Sequence, residues 1–215
     1  MEADKIKIKL FLLLAGLVIG IEFAMFAVSI IIPHIPLPGL VLTGGIRIVE
    51  LATIIFILRM QGKGLGLIGL AAPDILPGFK KGLFWSAWFG AFALSGFVIM
   101  TFFNLNPLKM LKTPIPGHTG LRLLFFLVGG LIGPVVEEVF FRGVVYGFFR
   151  KWGVLSAIII STFFFVMLHP IQGIPITQII GGLVFAVAYE QDGWLMVPIT
   201  IHITGNLALF SISFI

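Results

Sequence analysis

The sequence predicts an all-α protein, a polytopic transmembrane helical bundle, and two observations lead to this fold class. Of the 215 residues, 59% are hydrophobic and only 11% are charged. A soluble domain carries about 25% charged residues, so this composition is unsuited to a water-exposed surface. Apolar windows of about 20 residues, the length that a helix needs to cross a bilayer, recur along the whole chain.

Seven spans follow one another along the chain, and residues that break helices separate them. We expect the spans at about 10–32, 41–59, 82–103, 121–148, 153–169, 174–189 and 194–214. The first follows a basic start and is too long for a signal-peptide core, so it should remain as a transmembrane helix. "PHIPLPG", "QGKGLGLIGLAAPDILPGFKK" and "NLNPLKMLKTPIPGHTG" end the first three spans, and "RKWG", "PIQGIP" and "EQDG" connect the later ones.

The composition excludes several classes of protein. No segment is polar and long enough to fold separately, so residues 1–215 should form a single integral membrane domain. No internal repeat is visible, which weakens the hypothesis of an inverted-repeat transporter. The absence of cysteine excludes disulfides, thiolate metal sites and a cysteine nucleophile. The net charge of +5 indicates no nucleic-acid partner, because the lysines lie at helix ends.

The distribution of basic residues predicts a cytoplasmic N-terminus. With that orientation, the opposite side holds only Lys109, Lys112 and Arg122. The cytoplasmic segments then hold Lys5, Lys7, Lys9, Arg59, Lys63, Lys80, Lys81, Arg150 and Lys151. Segment 59–81 is expected to lie along the cytoplasmic interface. Seven crossings would put the C-terminus outside the cell.

Ionisable side chains at membrane depth are costly and usually functional. In the first two spans these are Glu22, Arg47 and Glu50. Arg47 and Glu50 are three residues apart on one helix face, and Glu22 can pair with Arg47 across the helices. We interpret them mainly as a buried structural ion pair, with a role in substrate binding as the alternative.

A second charged group lies in "PVVEEVFFRGVV", residues 134–145. Glu138 and Arg142 have the i,i+4 spacing of an intrahelical ion pair. Glu137 points about 100° away from Glu138 and is left without this partner, as suits a general base or acid. Pro134 frees the carbonyl of Gly130, so a kinked and closely packed helix is expected here.

Two later motifs add the remaining polar side chains at this depth. His169 ends "FFFVMLHP", and His202 and Asn206 share one helix face in "HITGN". Counted from the connection at 150–153, Glu137 and His169 lie within about 6 Å in height. The same arithmetic puts His202 about 13 Å deep and Glu137 about 20 Å deep, a difference that helix tilt can absorb. These side chains are therefore expected to form one cluster near the middle of the membrane.

This set of side chains suits hydrolysis of a peptide bond. A carboxylate and one histidine can hold and deprotonate a water, while the other histidine and an amide stabilise the oxyanion. Glu137, His169 and His202 can instead bind Zn²⁺ with an open position for water. Neither a serine elbow nor an HExxH sequence is present, so a serine hydrolase and a helix-borne zincin are not supported.

Three motifs resemble the CPBP family, the CAAX proteases and bacteriocin-processing enzymes also called Abi. "EEVFFRG" resembles its EExxxR motif, "FVMLH" its FxxxH motif and "HITGN" its HxxxN/D motif. Their order and their positions in the helices also agree. The resemblance covers about 120–210, and the run "GGLVFAVAYEQDGWLMVPITIH" also fits it.

The resemblance implies a glutamic-type intramembrane endopeptidase, related to the Ras-converting CAAX endopeptidase. By this carry-over, Glu137 and His169 activate water, His202 and Asn206 form the oxyanion site, and Glu138 and Arg142 support them. It favours a site without a metal, and zinc remains the alternative. The implied substrate is a membrane-anchored protein or peptide, cut near its C-terminus. The compact chain resembles prokaryotic members, which implies a multi-pass protein of the plasma or inner membrane.

Two other functions are compatible with parts of the sequence. A non-proteolytic scaffold or bacteriocin-immunity protein could bind a peptide in the same cavity. A transporter could use the buried carboxylates as a proton relay, although the missing repeats count against it. The identity of the substrate, its prenylation and the oligomeric state have no signature in the sequence.

Overall fold

The computed structural model describes residues 6–31, 39–169 and 175–214, and it confirms the all-α fold class within them. These residues form helices and connecting turns, without a strand. Seven helices coincide with the seven expected spans: α1 (Ile8–Ile31), α2 (Gly39–Met60), α3 (Ile75–Phe102), α4 (Thr119–Trp152), α5 (Val154–Met167), α6 (Ile176–Asp192) and α7 (Met196–Ile212). The expected connections at 33–38 and 170–174 lie outside the described residues.

Four of these helices are long and apolar enough to cross a membrane: α1, α2, α3 with the turn before it, and α4. Helices α5 and α7 are apolar but have only 14 and 17 residues. Helix α3 begins at Ile75, earlier than the expected 82, and includes Pro77 in its first turn. Proline is tolerated there because the first N–H groups of a helix have no intrahelical partner.

Helix α4 contains two π-helical segments. It is π-helical at Val128–Ile132 and again at Val139–Tyr146, on either side of the α-helical turn Gly133–Glu138. The Gly133 N–H donates to the Val128 carbonyl, and Pro134 has no N–H to offer the next carbonyl, that of Gly129. The proline therefore leaves the Gly129 carbonyl without a partner from its own helix, whereas the sequence had indicated that of Gly130.

Glycines allow close contact where α3 crosses α7. A Cβ added at Gly82 would lie 2.5 Å from the Thr200 Cβ, and one at Gly78 would lie 2.8 Å from the Met196 Cβ. Because no side chain separates the helices at these positions, α3 holds α7 firmly in place. Helix α7 carries His202 and Asn206, so this contact fixes the height of both side chains.

The segment between α2 and α3 is packed onto one end of the bundle. Ile68 is buried, and a Cβ at Gly143 of α4 would lie 3.1 Å from its Cβ. The Tyr189 hydroxyl donates to the Ile68 carbonyl at 2.9 Å, and the Leu195 N–H donates to the Gly69 carbonyl at 2.7 Å. This part of segment 59–81 is therefore a buried plug that ties α4 to the turn between α6 and α7.

Candidate active site

The buried ion pair that the sequence predicts on α4 is present. Arg142 Nη1 donates to Glu138 Oε1 at 2.9 Å, and both side chains are 0% exposed. Arg142 Nη2 donates to the Gly182 carbonyl of α6 at 3.0 Å. Each charge is thus paired with the other, although Glu138 Oε2 and Arg142 Nε are buried without a hydrogen-bond partner in the described residues. The pair also fixes α4 against α6.

Glu138 has a second partner that the sequence did not reveal. His202 Nδ1 lies 2.8 Å from the same Oε1 atom that binds Arg142. Since a carboxylate only accepts hydrogen bonds, Nδ1 carries a proton and donates it to Glu138. In the neutral ring, His202 Nε2 then carries a lone pair. Glu138 therefore sets both the orientation and the tautomer of His202.

His169 is oriented in the same way by a backbone carbonyl. It follows the end of α5, and its Nδ1 lies 2.6 Å from the Phe165 carbonyl oxygen one turn earlier. Because a carbonyl only accepts, the proton again sits on Nδ1 and the neutral Nε2 has a lone pair. The spacing of "FVMLH" thus has a direct structural reason, since it places the ring within reach of this carbonyl.

The two oriented rings meet at one oxygen of Glu137. Oε2 of Glu137 lies 3.5 Å from His169 Nε2 and 3.8 Å from His202 Nε2. Glu137, His169 and His202 of the predicted cluster therefore lie together, and the expected difference in depth does not separate them. Both distances exceed a direct hydrogen bond, and a water can bridge groups at such a spacing. All three groups are acceptors when the rings are neutral, so a water can donate to them.

Asn206 makes a hydrogen bond that the sequence did not indicate. Its Nδ2 donates to the Gly129 carbonyl at 2.9 Å, the carbonyl that Pro134 leaves free on α4. This hydrogen bond joins α7 to the π-helical turn, one helical turn away from His202. An amide has two N–H groups, so one can still serve another acceptor.

Aromatic rings surround the charged centre, an arrangement with little signal in the sequence. Phe185 stacks on His202 with ring centroids 4.6 Å apart, and Phe165 lies 4.4 Å from the His169 ring. The Arg142 guanidinium lies over both phenylalanines, 4.7 Å from the Phe165 centroid and 5.2 Å from the Phe185 centroid. Phe165 opens the second motif, but Phe185 has no signal beyond its place in an apolar run.

A cavity of about 160 Å³ reaches Glu137 and His169 from the side of α1 and α2. Its wall includes Glu22, Arg47 and Glu50. The ion pairing predicted for these three is present, since Arg47 Nη1 lies 2.7 Å from both Glu22 Oε1 and Glu50 Oε2. Their position in the cavity that holds Glu137 is the new observation, because only packing of α1 and α2 against α4 reveals it.

No group of three or more His, Asp and Glu side chains in the described ranges is arranged to hold a metal ion. Glu137, His169 and His202, the residues of the zinc alternative, fall within these ranges.

Residues 119–208 match the model of a family described as Rce1-like, Type II CAAX prenyl endopeptidase Rce1-like. The matched range runs from the start of α4 into α7, and it contains Glu137, Glu138, Arg142, His169, His202 and Asn206. No curated protein and no solved structure matches the chain. This match covers 90 of the 215 residues, the region that carries all three motifs and the buried cluster, and it supports the resemblance to the CAAX protease (CPBP) family.

Proposed function

We propose that the protein is a glutamic-type intramembrane endopeptidase that cuts a membrane-anchored protein or peptide near its C-terminus. The observation that carries the proposal is the position of Glu137 Oε2, which faces Nε2 of both His169 and His202. At these distances one water could contact the carboxylate oxygen and both rings. The match of residues 119–208 to the CAAX prenyl endopeptidase model supports the choice of a peptide bond as the target.

In the first step Glu137 and His169 hold the water. The water donates one hydrogen to Glu137 Oε2 and the other to His169 Nε2, which leaves its oxygen lone pairs directed at the substrate carbonyl. Glu137 takes a proton as the oxygen forms its bond to the carbonyl carbon. The electron pair of the C=O double bond moves to the carbonyl oxygen and gives a tetrahedral oxyanion.

His202 and Asn206 stabilise that oxyanion. His202 donates from Nε2 when its ring carries a proton on both nitrogens, and it keeps both protons throughout the reaction while Nδ1 stays hydrogen-bonded to Glu138. The second N–H of Asn206 supplies another donor. Collapse of the intermediate breaks the C–N bond, and the proton on Glu137 passes to the leaving nitrogen. The products are one peptide with a new carboxyl terminus and one with a new amino terminus.

Replacement of the base tests the proposal. In proteoliposomes with a membrane-anchored reporter peptide, Glu137→Gln should lower the cleavage rate by about 10²–10⁴-fold, the usual contribution of a general base. Glu190→Gln is the matched control, because Glu190 bonds Arg150 and Tyr146 away from the cavity. Unaltered cleavage by Glu137→Gln would overturn the assignment. A scaffold or immunity protein would bind the reporter without cutting it, in both variants and in the wild type.

Metal dependence has a separate test. A metal-free enzyme should keep its activity after dialysis against a strong chelator, and added Zn²⁺ should not raise its rate. Loss of activity that Zn²⁺ restores would favour the metalloprotease alternative with Glu137, His169 and His202 as ligands.

A further inference from the structure

Two carboxyl groups and one guanidinium line the cavity that reaches His169. Arg47 uses a single nitrogen, Nη1, to contact both Glu22 and Glu50. With all three ionised, two carboxylates face one guanidinium, so the net charge of the group is −1. In the ion pair on α4, by contrast, the guanidinium of Arg142 faces one carboxylate, that of Glu138.

Glu50 also has an oxygen without a hydrogen-bond partner. The side chain is 1% exposed, and its Oε1 atom is buried with no donor near it in the described residues, although Oε2 is bound to Arg47. A buried acceptor without a partner is costly, so such atoms in native proteins call for an explanation. Glu50 lines the cavity that reaches Glu137, so a ligand there can supply the missing donor once the side chains that cover Oε1 move aside.

The rest of this wall is apolar and suits an aliphatic chain. Val18, Ile19 and Ile54 lie in the cavity with the acidic group. A lysine side chain has an apolar stem and a charged end with three N–H donors. Its stem would contact these aliphatic side chains while its ammonium reaches Glu50 Oε1 and the half-exposed Glu22. The volume of about 160 Å³ is the size of a single side chain.

We propose that Glu22, Arg47 and Glu50 form a subsite that binds a basic side chain of the substrate, next to the bond that is cut. The inference rests on the proposed peptidase function, because the peptide that binds here is a substrate only if the protein cuts it. It adds the chemical class of the side chain that the cavity binds. Arg47 holds the two carboxylates side by side, so that a second cation meets both. A substrate carboxylate is disfavoured, since it would approach one guanidinium flanked by two acidic side chains.

Cleavage of three matched reporters tests this subsite. Membrane-anchored peptides carry lysine, norleucine or glutamate at one position at a time, on each side of the cut bond. At one position the wild-type protein should prefer lysine over norleucine by roughly tenfold or more in kcat/KM, the usual effect of a charge-assisted hydrogen bond. Glutamate should be the poorest of the three. Equal rates, or a preference for glutamate, would overturn the proposal.

Two variants test whether Glu22 and Glu50 cause the preference for lysine. Glu50→Gln and Glu22→Gln should bring the ratio of lysine to norleucine rates close to one, and Glu190→Gln should keep the wild-type ratio. Glu22 is 41% exposed, so its replacement still reports on the subsite if Glu50→Gln does not fold. A lysine preference that survives both replacements would show that another surface selects the residue.

A binding measurement separates this proposal from the peptidase function. Thermal stabilisation of the detergent-solubilised protein by the lysine and norleucine peptides needs no hydrolysis. If the lysine peptide stabilises more, Glu50→Gln removes the difference and no cleavage occurs, the subsite stands and the peptidase function fails. If cleavage proceeds without any lysine preference in rate or binding, the subsite fails and the peptidase function stands.

Discussion

At the scale of single residues, the central feature is that one carboxylate oxygen serves two partners. Glu138 Oε1 accepts from Arg142 and from His202 Nδ1. The sequence predicted the first contact from the i,i+4 spacing, and that contact is local. It could not predict the second, because 64 residues separate Glu138 from His202 and only the packing of α7 on α4 brings them together.

Removal of one member of the Glu138–Arg142 pair should destabilise the protein more than removal of both charges. Arg142→Met leaves Glu138 buried without its cation, and we expect it to lower the free energy of unfolding by about 3–5 kcal/mol. The double variant Glu138→Gln/Arg142→Met should recover most of that stability, because no buried charge is left unpaired. Peptidase activity should not return, since the double variant lacks the Glu138 carboxylate that orients the His202 ring through Nδ1. Thermal unfolding in detergent and the reporter assay measure the two effects.

A double variant no more stable than Arg142→Met would contradict this account. It would mean that the loss comes from packing around the guanidinium, such as its contacts with Phe165 and Phe185, and not from the unpaired charge.

At the scale of elements, the π-helical turns of α4 explain how Asn206 is held. Pro134 leaves the Gly129 carbonyl free, and Asn206 supplies the missing donor. The sequence indicated that Pro134 would disturb the helix, but it contained no means of distinguishing a kink from a change of register. A proline removes the same N–H in both cases.

Pro134→Ala should therefore uncouple Asn206 from α4. The restored N–H can donate to the Gly129 carbonyl and replace Asn206, so activity should fall while thermal stability is kept or raised. Combined with Asn206→Ala, it should add little further loss of activity, because both changes break one interaction. Pro198→Ala in α7 is the control, and its effect should add to that of Asn206→Ala. Full additivity of Pro134→Ala with Asn206→Ala would argue against the link.

The crossing of α3 and α7 permits a matched test on one helix. Gly82→Ala places a Cβ 2.5 Å from Thr200 Cβ and 2.9 Å from the Val197 carbonyl oxygen, and a Cβ at Gly90 meets nothing within 4 Å. We expect Gly82→Ala to cost about 1–3 kcal/mol through overpacking, whereas Gly90→Ala should be neutral or slightly stabilising because alanine favours helix. Thermal unfolding of both variants measures this, and equal effects would contradict the close contact.

At the scale of the whole molecule, contacts between the loops show which of them lie at the same end of the helical bundle. Arg150 pairs with Glu190 and Lys81 lies 3.9 Å from Asp192, which puts these basic residues at the end that holds the Ile68 plug. At the opposite end Ser213 Oγ accepts from the Thr113 N–H, and Arg122 lies over the Phe214 ring. The end with more lysine and arginine is the one that we propose faces the cytoplasm.

Single cysteines can test this orientation, because the natural sequence has none. In intact cells a membrane-impermeant maleimide should label Leu105→Cys and leave Lys63→Cys unlabelled. Lysis should make both reactive, which serves as the control for exposure. The reverse pattern in intact cells would place the N-terminal end outside.

The sequence predicted the helices, their order and the charge pairs around the site, because each rests on local spacing or on the cost of burying charge. Glu138 with Arg142 and Glu22 with Arg47 are pairs of this kind. It could not predict that Arg47 and Glu137 line one cavity, since this depends on how α2 packs on α4. The aromatic contacts of Phe185 could not be predicted for the same reason, because any apolar residue would fit the pattern.

The short α5 has a consequence for the surrounding lipid. Its 14 residues span about 21 Å, whereas the hydrocarbon core of a bilayer is about 30 Å thick, and its outer face exposes Leu155, Ile159 and Phe163. Such hydrophobic mismatch thins the bilayer locally. His169 lies two residues beyond the end of α5, so local thinning would bring headgroups and bulk water towards the residue that we propose holds the reacting water. On that mechanism, the thickness of the host membrane would affect how readily this water is replaced.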